Sequence, residues 1–226
     1  MGEDAIVRRK IPTAALVILL AAVVGVAGMT AGAALTGGGE SVSRPAEGSP
    51  EAGFARDMQA HHAQAVQMST IVRDATDDPE LRTLALDITL TQQQQAGQMY
   101  GWLEQWDLPQ ASLEPQMQWM HDTDSDMGSM DHGTNATAVP DPGAVMPGMA
   151  TDEELQQLGQ AVDVDAETMY LRLMVAHHQG GVTMAQATLD LVQDQDVRRL
   201  AQAIVDSQTA ELAVLEQMLV ERASYL

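Results

Sequence analysis

The chain has 226 residues, 32 acidic against 11 basic side chains, a formal net charge of −21 and no cysteine. Without thiols there is no disulfide scaffold, Cys-ligated zinc finger or thiol nucleophile. The acidic balance leaves no basic surface to displace counterions from a nucleic acid, so no nucleic-acid partner is expected.

Residues 1–10 are a basic start ending in Arg8, Arg9 and Lys10, and the 26 residues 11–36 carry no charge. About 20 apolar residues cross a bilayer, and the preceding positive charges keep the start cytoplasmic. The segment reads either as a transmembrane signal anchor or as a signal peptide cleaved near Ala31-Gly32-Ala33. Both readings place residues 37 onward outside the cytoplasm: on a single-pass protein of the cell membrane with its C-terminal domain outside, or on a secreted one. That exported part holds 30 acids, 8 arginines and no lysine, a solvated, soluble surface.

Residues 37–53, rich in Gly, Ser and Pro, read as a flexible tether. The folded domain is expected over 54–222, because segment 54–103 recurs at 170–219 with a constant offset of 116 and no gap. Fifteen of the 50 paired positions are identical, and they include His61-His62 against His177-His178, which makes chance a poor explanation. Each repeat reads as two helices. Met58, His61, Ala65 and Met68 recur at helical spacing. Asp77-Asp78-Pro79 ends that helix and starts the next, whose inward stripe is Leu81, Leu84, Ala85, Ile88, Gln92, Gln95 and Met99. The second copy has Val197, Leu200, Ala201, Ile204, Gln208, Glu211 and Leu215 there. No β-alternation occurs in either copy. The predicted fold is all-α: two duplicated helical hairpins burying their apolar faces in an antiparallel four-helix bundle, preceded by the N-terminal helix.

Between the repeats, residues 105–150 form a Met/His-rich connection with Gly, Pro, Asp and Ser clusters, expected to be mobile. A capping-box pattern at Thr151–Glu154 predicts a short helix within 151–161, and Asp163 or Asp165 is expected to cap the third long helix.

Two places carry metal-ligand chemistry. The first is the doubled His pair, His61, His62, His177 and His178, beside Met58, Met68, Met174 and Met184. Adjacent helical residues point about 100° apart, so one member of each pair faces inward and the other a neighbouring helix. Imidazole with thioether suits copper, as Cu(I) or Cu(II); imidazole alone also suits zinc or nickel. Equally, histidine on an apolar face can be a hydrogen-bonded core residue, with Gln92, Gln208 and Glu211 as its partners. The second place is the connection, where Met117, Met120, His121, Met127, Met130 and His132 alternate thioether and imidazole, followed by Met146 and Met149. Its competing reading is loose packing of methionines onto the bundle. A di-iron carboxylate bundle is not indicated, since no Glu stands three residues before any histidine. Phosphate-binding and serine-nucleophile motifs are absent.

The stretches FARDMQAHHAQAVQMS (54–69), LRTLALDITLTQQQQAGQMYGWL (81–103), YLRLMVAHHQGGVTMA (170–185) and VRRLAQAIVDSQTAELAVLEQM (197–218) resemble the bacterial family called domain of unknown function 305. Its pattern is a Met-x-x-His-His helix followed by a Gln-x-x-Glu helix, commonly twice. The resemblance implies a ferritin-like helical bundle, an exported location and, for some members, copper binding linked to copper tolerance. It implies motif roles for Met58, His61, His62, Met68, Gln92, Met174, His177, His178, Met184, Gln208 and Glu211. One departure stands out: Gln95 occupies the place of the family's Glu in the first repeat. The leading expectation is a copper-binding buffer or chaperone without turnover. The alternatives are a structural or interaction bundle of the cell envelope with core histidines, and a metal-dependent oxidoreductase.

Overall fold

The computed structural model describes residues 44–120 and 146–223. Helix α1 spans Pro50–Ala75 and α2 Pro79–Trp106; a 3-10 turn covers Gln118–Met120; α3 spans Asp152–Gln160, α4 Asp163–Leu191 and α5 Gln195–Ala223. The chain is all-α, with no strand among the described residues. Among them no helix is long and apolar enough to cross a membrane; the apolar segment 11–36 lies outside the described residues.

Local chemistry explains the helix ends. Ser49 accepts from the Ala52 amide at 3.3 Å and precedes Pro50 in the first turn of α1. Asp78 does the same for α2, accepting from the Glu80 and Leu81 amides at 2.8 and 2.9 Å. Its repeat counterpart Asp194 accepts from Asp196 and Val197 at the start of α5, at 2.8 and 3.1 Å. Helix α2 ends on Asp107 in a left-handed conformation (φ 61°), with the Leu108 amide closing on the Leu103 carbonyl at 2.9 Å. Helix α3 carries both halves of a capping box between Thr151 and Glu154. The start of α4 corrects the sequence reading: neither Asp163 nor Asp165 caps it. The N-cap is Val162, which has no side-chain hydrogen bond to offer, and Asp163 is already the first helical residue, at φ 52°.

Each hairpin is locked by an arginine at an equivalent place. Arg82 donates to the carbonyls of Arg73 and Thr76, and Arg198 to those of Leu189 and Val192. Both satisfy carbonyls left over at the C-terminus of the preceding helix.

The hairpins α1–α2 and α4–α5 meet chiefly along α1 and α4. These two run antiparallel, because Met58 shares an apolar cluster with Met184, and Met68 shares another with Met174. The first cluster gathers the start of α1, the end of α2, the end of α4 and the start of α5; the second gathers the opposite ends. At one end Glu167 accepts from Thr76 and, at 3.1 Å, from Arg222, which also reaches Asp78 at 2.6 Å. This network ties all four long helices together.

Where they are described, at 44–49, 107–120 and 146–151, the connecting segments pack against the bundle. The expected tether ends early: α1 begins at Pro50, and Arg56 pairs with Glu47 at 2.8 Å while its Nε donates to the Pro109 carbonyl at 2.9 Å. Met117 and Met146 are buried in the first apolar cluster, with Met120 and Met149 packed against it. These four thioethers are core packing. His121, Met127, Met130 and His132 lie outside the described residues.

Candidate metal centre

A polar layer separates the two apolar clusters. It consists of His61 and His62 from α1, Gln92 and Gln95 from α2, His177 and His178 from α4, and Gln208 and Glu211 from α5. All four histidines are at most 1% exposed. Helical spacing places them there, since His61 and His62 fall between Met58 and Ala65, and His177 and His178 between Met174 and Met184.

Within each pair the roles divide. His61 and His177 face one another across the hairpin interface, with ring centroids 3.8 Å apart and planes inclined by 36°. His62 and His178 turn to the second helix of their own hairpin, where Nε2 meets Gln95 Oε1 at 2.8 Å and Glu211 Oε2 at 2.7 Å. The inward pair is held by backbone: His61 Nε2 donates to the Pro147 carbonyl at 3.1 Å, and His177 Nε2 to the His61 carbonyl at 3.0 Å. A carbonyl or carboxylate oxygen only accepts, so each of these Nε2 atoms carries the hydrogen. In a neutral ring Nδ1 is then the lone-pair atom, and all four Nδ1 atoms are buried without a hydrogen-bond partner in the protein. So are both amide atoms of Gln92 and of Gln208. This is the arrangement of metal-ligating histidine, in which one nitrogen is tied to an oxygen and the other is left free for the ion.

Magnitude separates this layer from ordinary core. A buried polar atom left without a partner costs about 1–3 kcal/mol, and an average domain has only about 5–15 kcal/mol of net stability. Eight such atoms in one layer are of that same order, which sets the layer apart from the apolar clusters on either side of it.

Burial also keeps His61, His62 and His177 neutral and lone-paired. Desolvation, opposed by the Pro147 bond, pushes His61 down to about 4. Desolvation and neighbouring His61 push His62 down to about 3. His177 is likewise held well below its ordinary value, by burial first and by the other histidines second.

Met58, Met68, Met174 and Met184 are fully buried and flank the layer two by two, Met58 and Met184 in the first cluster and Met68 and Met174 in the second. Among the described residues no three His, Asp or Glu side chains are already gathered as a metal site.

Several residues that shape the layer escaped the sequence reading. The strap 146–150 crosses it: Pro147 supplies the carbonyl for His61, and Gln64 holds Ala150 at both its amide (2.7 Å) and its carbonyl (2.9 Å). Gly180 makes room for this strap, since a Cβ there would stand 1.9 Å from the Pro147 carbonyl oxygen. Gly181 makes room for Gln208 in the same way, at 2.3 Å from Oε1. The signal was present, because two adjacent glycines inside a helix cost about 1 kcal/mol each and need a packing reason. Asp57, buried and with its carboxyl pKa raised by burial, accepts from the Met117 amide at 2.7 Å and Trp119 Nε1 at 2.8 Å, docking the first part of the connection.

Comparison with known proteins places this architecture. The sequence profile of the family described as Domain of unknown function (DUF305) matches residues 51–219. A Streptomyces coelicolor DUF305 protein, predicted to be secreted, is 44% identical with a TM-score of 0.68, over 79% of this chain and 96% of that one. A Deinococcus radiodurans DUF305 fragment is 30% identical with a TM-score of 0.60, over 78% and 99%. CopM in its Cu(I)-bound form is 23% identical with a TM-score of 0.54, over 76% and 96%, and shares the fold. No curated protein matches. From the profile match and these relatives, the chain belongs to the DUF305 family.

Proposed function

We propose that this protein binds copper as cargo in the histidine layer and acts outside the cytoplasm as a buffer or chaperone, without turnover. The observation that carries the reading is the uniform tautomer: four buried imidazoles, each with Nε2–H tied to an oxygen and Nδ1 free. The flanking thioethers favour Cu(I), since soft sulfur ligands select it. Zinc fits less well, because it takes four N, O or S ligands and no three His, Asp or Glu side chains are gathered here. The copper- and silver-bound forms of CopM support the reading by fold. The relative predicted to be secreted supports an extracytoplasmic site of action. We read the paired hairpins as a ferritin-like antiparallel four-helix bundle, with residues 11–36 as its membrane anchor or its leader. A metal-dependent oxidoreductase would need, besides the ion, groups that bind and turn over a substrate, and the layer offers none beyond its ligands.

The test loads the full-length chain with Cu(I) under reducing conditions, dialyses it against a competing chelator and measures copper by mass spectrometry. The wild type should retain copper and the variant with His61, His62, His177 and His178 all changed to Ala should lose it, with circular dichroism showing both helical. Equal retention by both would move binding to the connection. No retention by a folded wild type would leave the second reading, a helical interaction module whose histidines are core; their complete burial favours it.

A further inference from the structure

The layer is sealed above and below by the apolar clusters, so a guest must cross a side wall. One side wall is open. A cavity of about 260 Å³ runs between α1 and α2, room for several waters. His62 and Gln92, each 1% exposed, line it, and both carry unpartnered atoms, His62 Nδ1 and the two amide atoms of Gln92. Ala63 and Ala96 form its walls, and Gln59 and Gln93 its rim.

The duplication provides an internal control. At an offset of 116, Ala63 becomes Gln179, Ala96 becomes Leu212 and Gln59 becomes Val175. The two side chains whose smallness opens the wall of repeat one are large in repeat two. The chemistry of the mouth is also one-sided. Its polar groups are amides and one imidazole, with Gln95 where repeat two has Glu211, and no carboxylate lines it. Desolvation cost scales with the square of the charge, so a monovalent ion crosses such a neutral mouth at roughly a quarter of the cost of a divalent one.

We propose that a monovalent soft ion, Cu(I) or Ag(I), reaches and leaves the histidine layer through the repeat-one wall between His62 and Gln92, with Ala63 and Ala96 as its gateposts. This rests on the copper reading of the layer, and two readouts separate the failure of one from the failure of the other.

The first readout follows, by stopped flow, transfer of Cu(I) from its coloured bicinchoninate complex to the full-length chain. The double variant Ala63→Gln/Ala96→Leu, which gives repeat one the side chains of repeat two, should take up copper at least about tenfold more slowly and reach the same final occupancy. The mirror variant Gln179→Ala/Leu212→Ala should load at the wild-type rate or faster. An unchanged rate in the first variant overturns the proposal. The second readout needs no metal. Diethyl pyrocarbonate, mapped by peptide mass, should modify His62 before His178, and the Ala63→Gln/Ala96→Leu variant should protect His62. Modification of His178 first, or no protection, overturns it. If the chain retains no copper but His62 still reacts first and is still protected, the copper reading and its ion route fail together, and the mouth survives only as the layer's opening to solvent.

Discussion

The two repeats share a backbone plan and differ where single-copy segments touch them. Positions serving both hairpins are identical: Asp78 and Asp194 start the second helices, Arg82 and Arg198 bind leftover carbonyls, and the His pairs and Gln92/Gln208 occupy the layer. Two positions that differ serve the connection. Asp57 receives the Met117 amide and Trp119, and its counterpart is Leu173. Gln64 holds Ala150 by two bonds; its counterpart Gly180 lies under Pro147. At these positions identity marks what each half needs for itself, and divergence marks what the unduplicated segment asks of each side.

The largest expected test of that comparison is acid. His61, His62 and His177 have folded-state pKa values depressed below the ordinary 6.5. The unfolded chain therefore binds their protons first. Their contribution to stability is complete above pH 6.5 and is lost as pH falls from there, towards about 4 for His61 and about 3 for His62, by up to about 1.4 kcal/mol per pH unit for each ring. Urea titrations of the metal-free chain at pH 7, 6 and 5 should show the midpoint dropping steeply. Gln95→Glu gives His62 the carboxylate that His178 has; it should raise the folded pKa of His62 and make the acid loss shallower.

Next in size is the strap. Gly180→Ala puts a methyl group 1.9 Å from a backbone oxygen and should destabilise by about 3 kcal/mol, read by urea unfolding. At the equivalent place in repeat one, Gln64→Ala removes two hydrogen bonds and should cost about 1–2 kcal/mol. Equal effects would mean the strap does not distinguish the halves.

Glu211→Gln removes the one carboxylate that orients a layer histidine. Loss of such a partner typically weakens metal affinity about 10–100-fold, and competition with a Cu(I) chelator should show it. Conversely, the smallest contrast is expected at the hairpin arginines. Arg82→Ala and Arg198→Ala should each cost about 1.5–3 kcal/mol, and their two values should agree within about 0.5 kcal/mol, the scatter of independent sites.

Much of this was legible in the sequence, for one physical reason: periodicity. The helix breaks at Asp78-Pro79, the capping box at Thr151 and the partnership of His178 with Glu211 follow from helical repeat and duplication; Gln92 and Gln208, expected to bond the histidines as well, do not, and Gln95 takes His62 instead. What was illegible depends on docking of segments that have no period. Nothing local shows that Pro147 lends its carbonyl to His61, or that Met117 and Met146 are core. The absent cap on α4 is of the same kind: two aspartates stood ready, but the chain enters the helix from Val162.

The bond between His177 and the backbone of His61 has a consequence for how such a molecule could arise. His177 donates to the His61 carbonyl, but His61 does not return the bond; it donates to Pro147 instead. Exchanging the halves therefore does not map the centre of the protein onto itself. Two copies of a single hairpin, assembled as a homodimer about a rotation axis through the stacked rings, would have to make both bonds or neither. The fused chain has surrendered that reciprocity at its innermost point, and with it the option of falling back to a symmetric ancestor without rebuilding its centre.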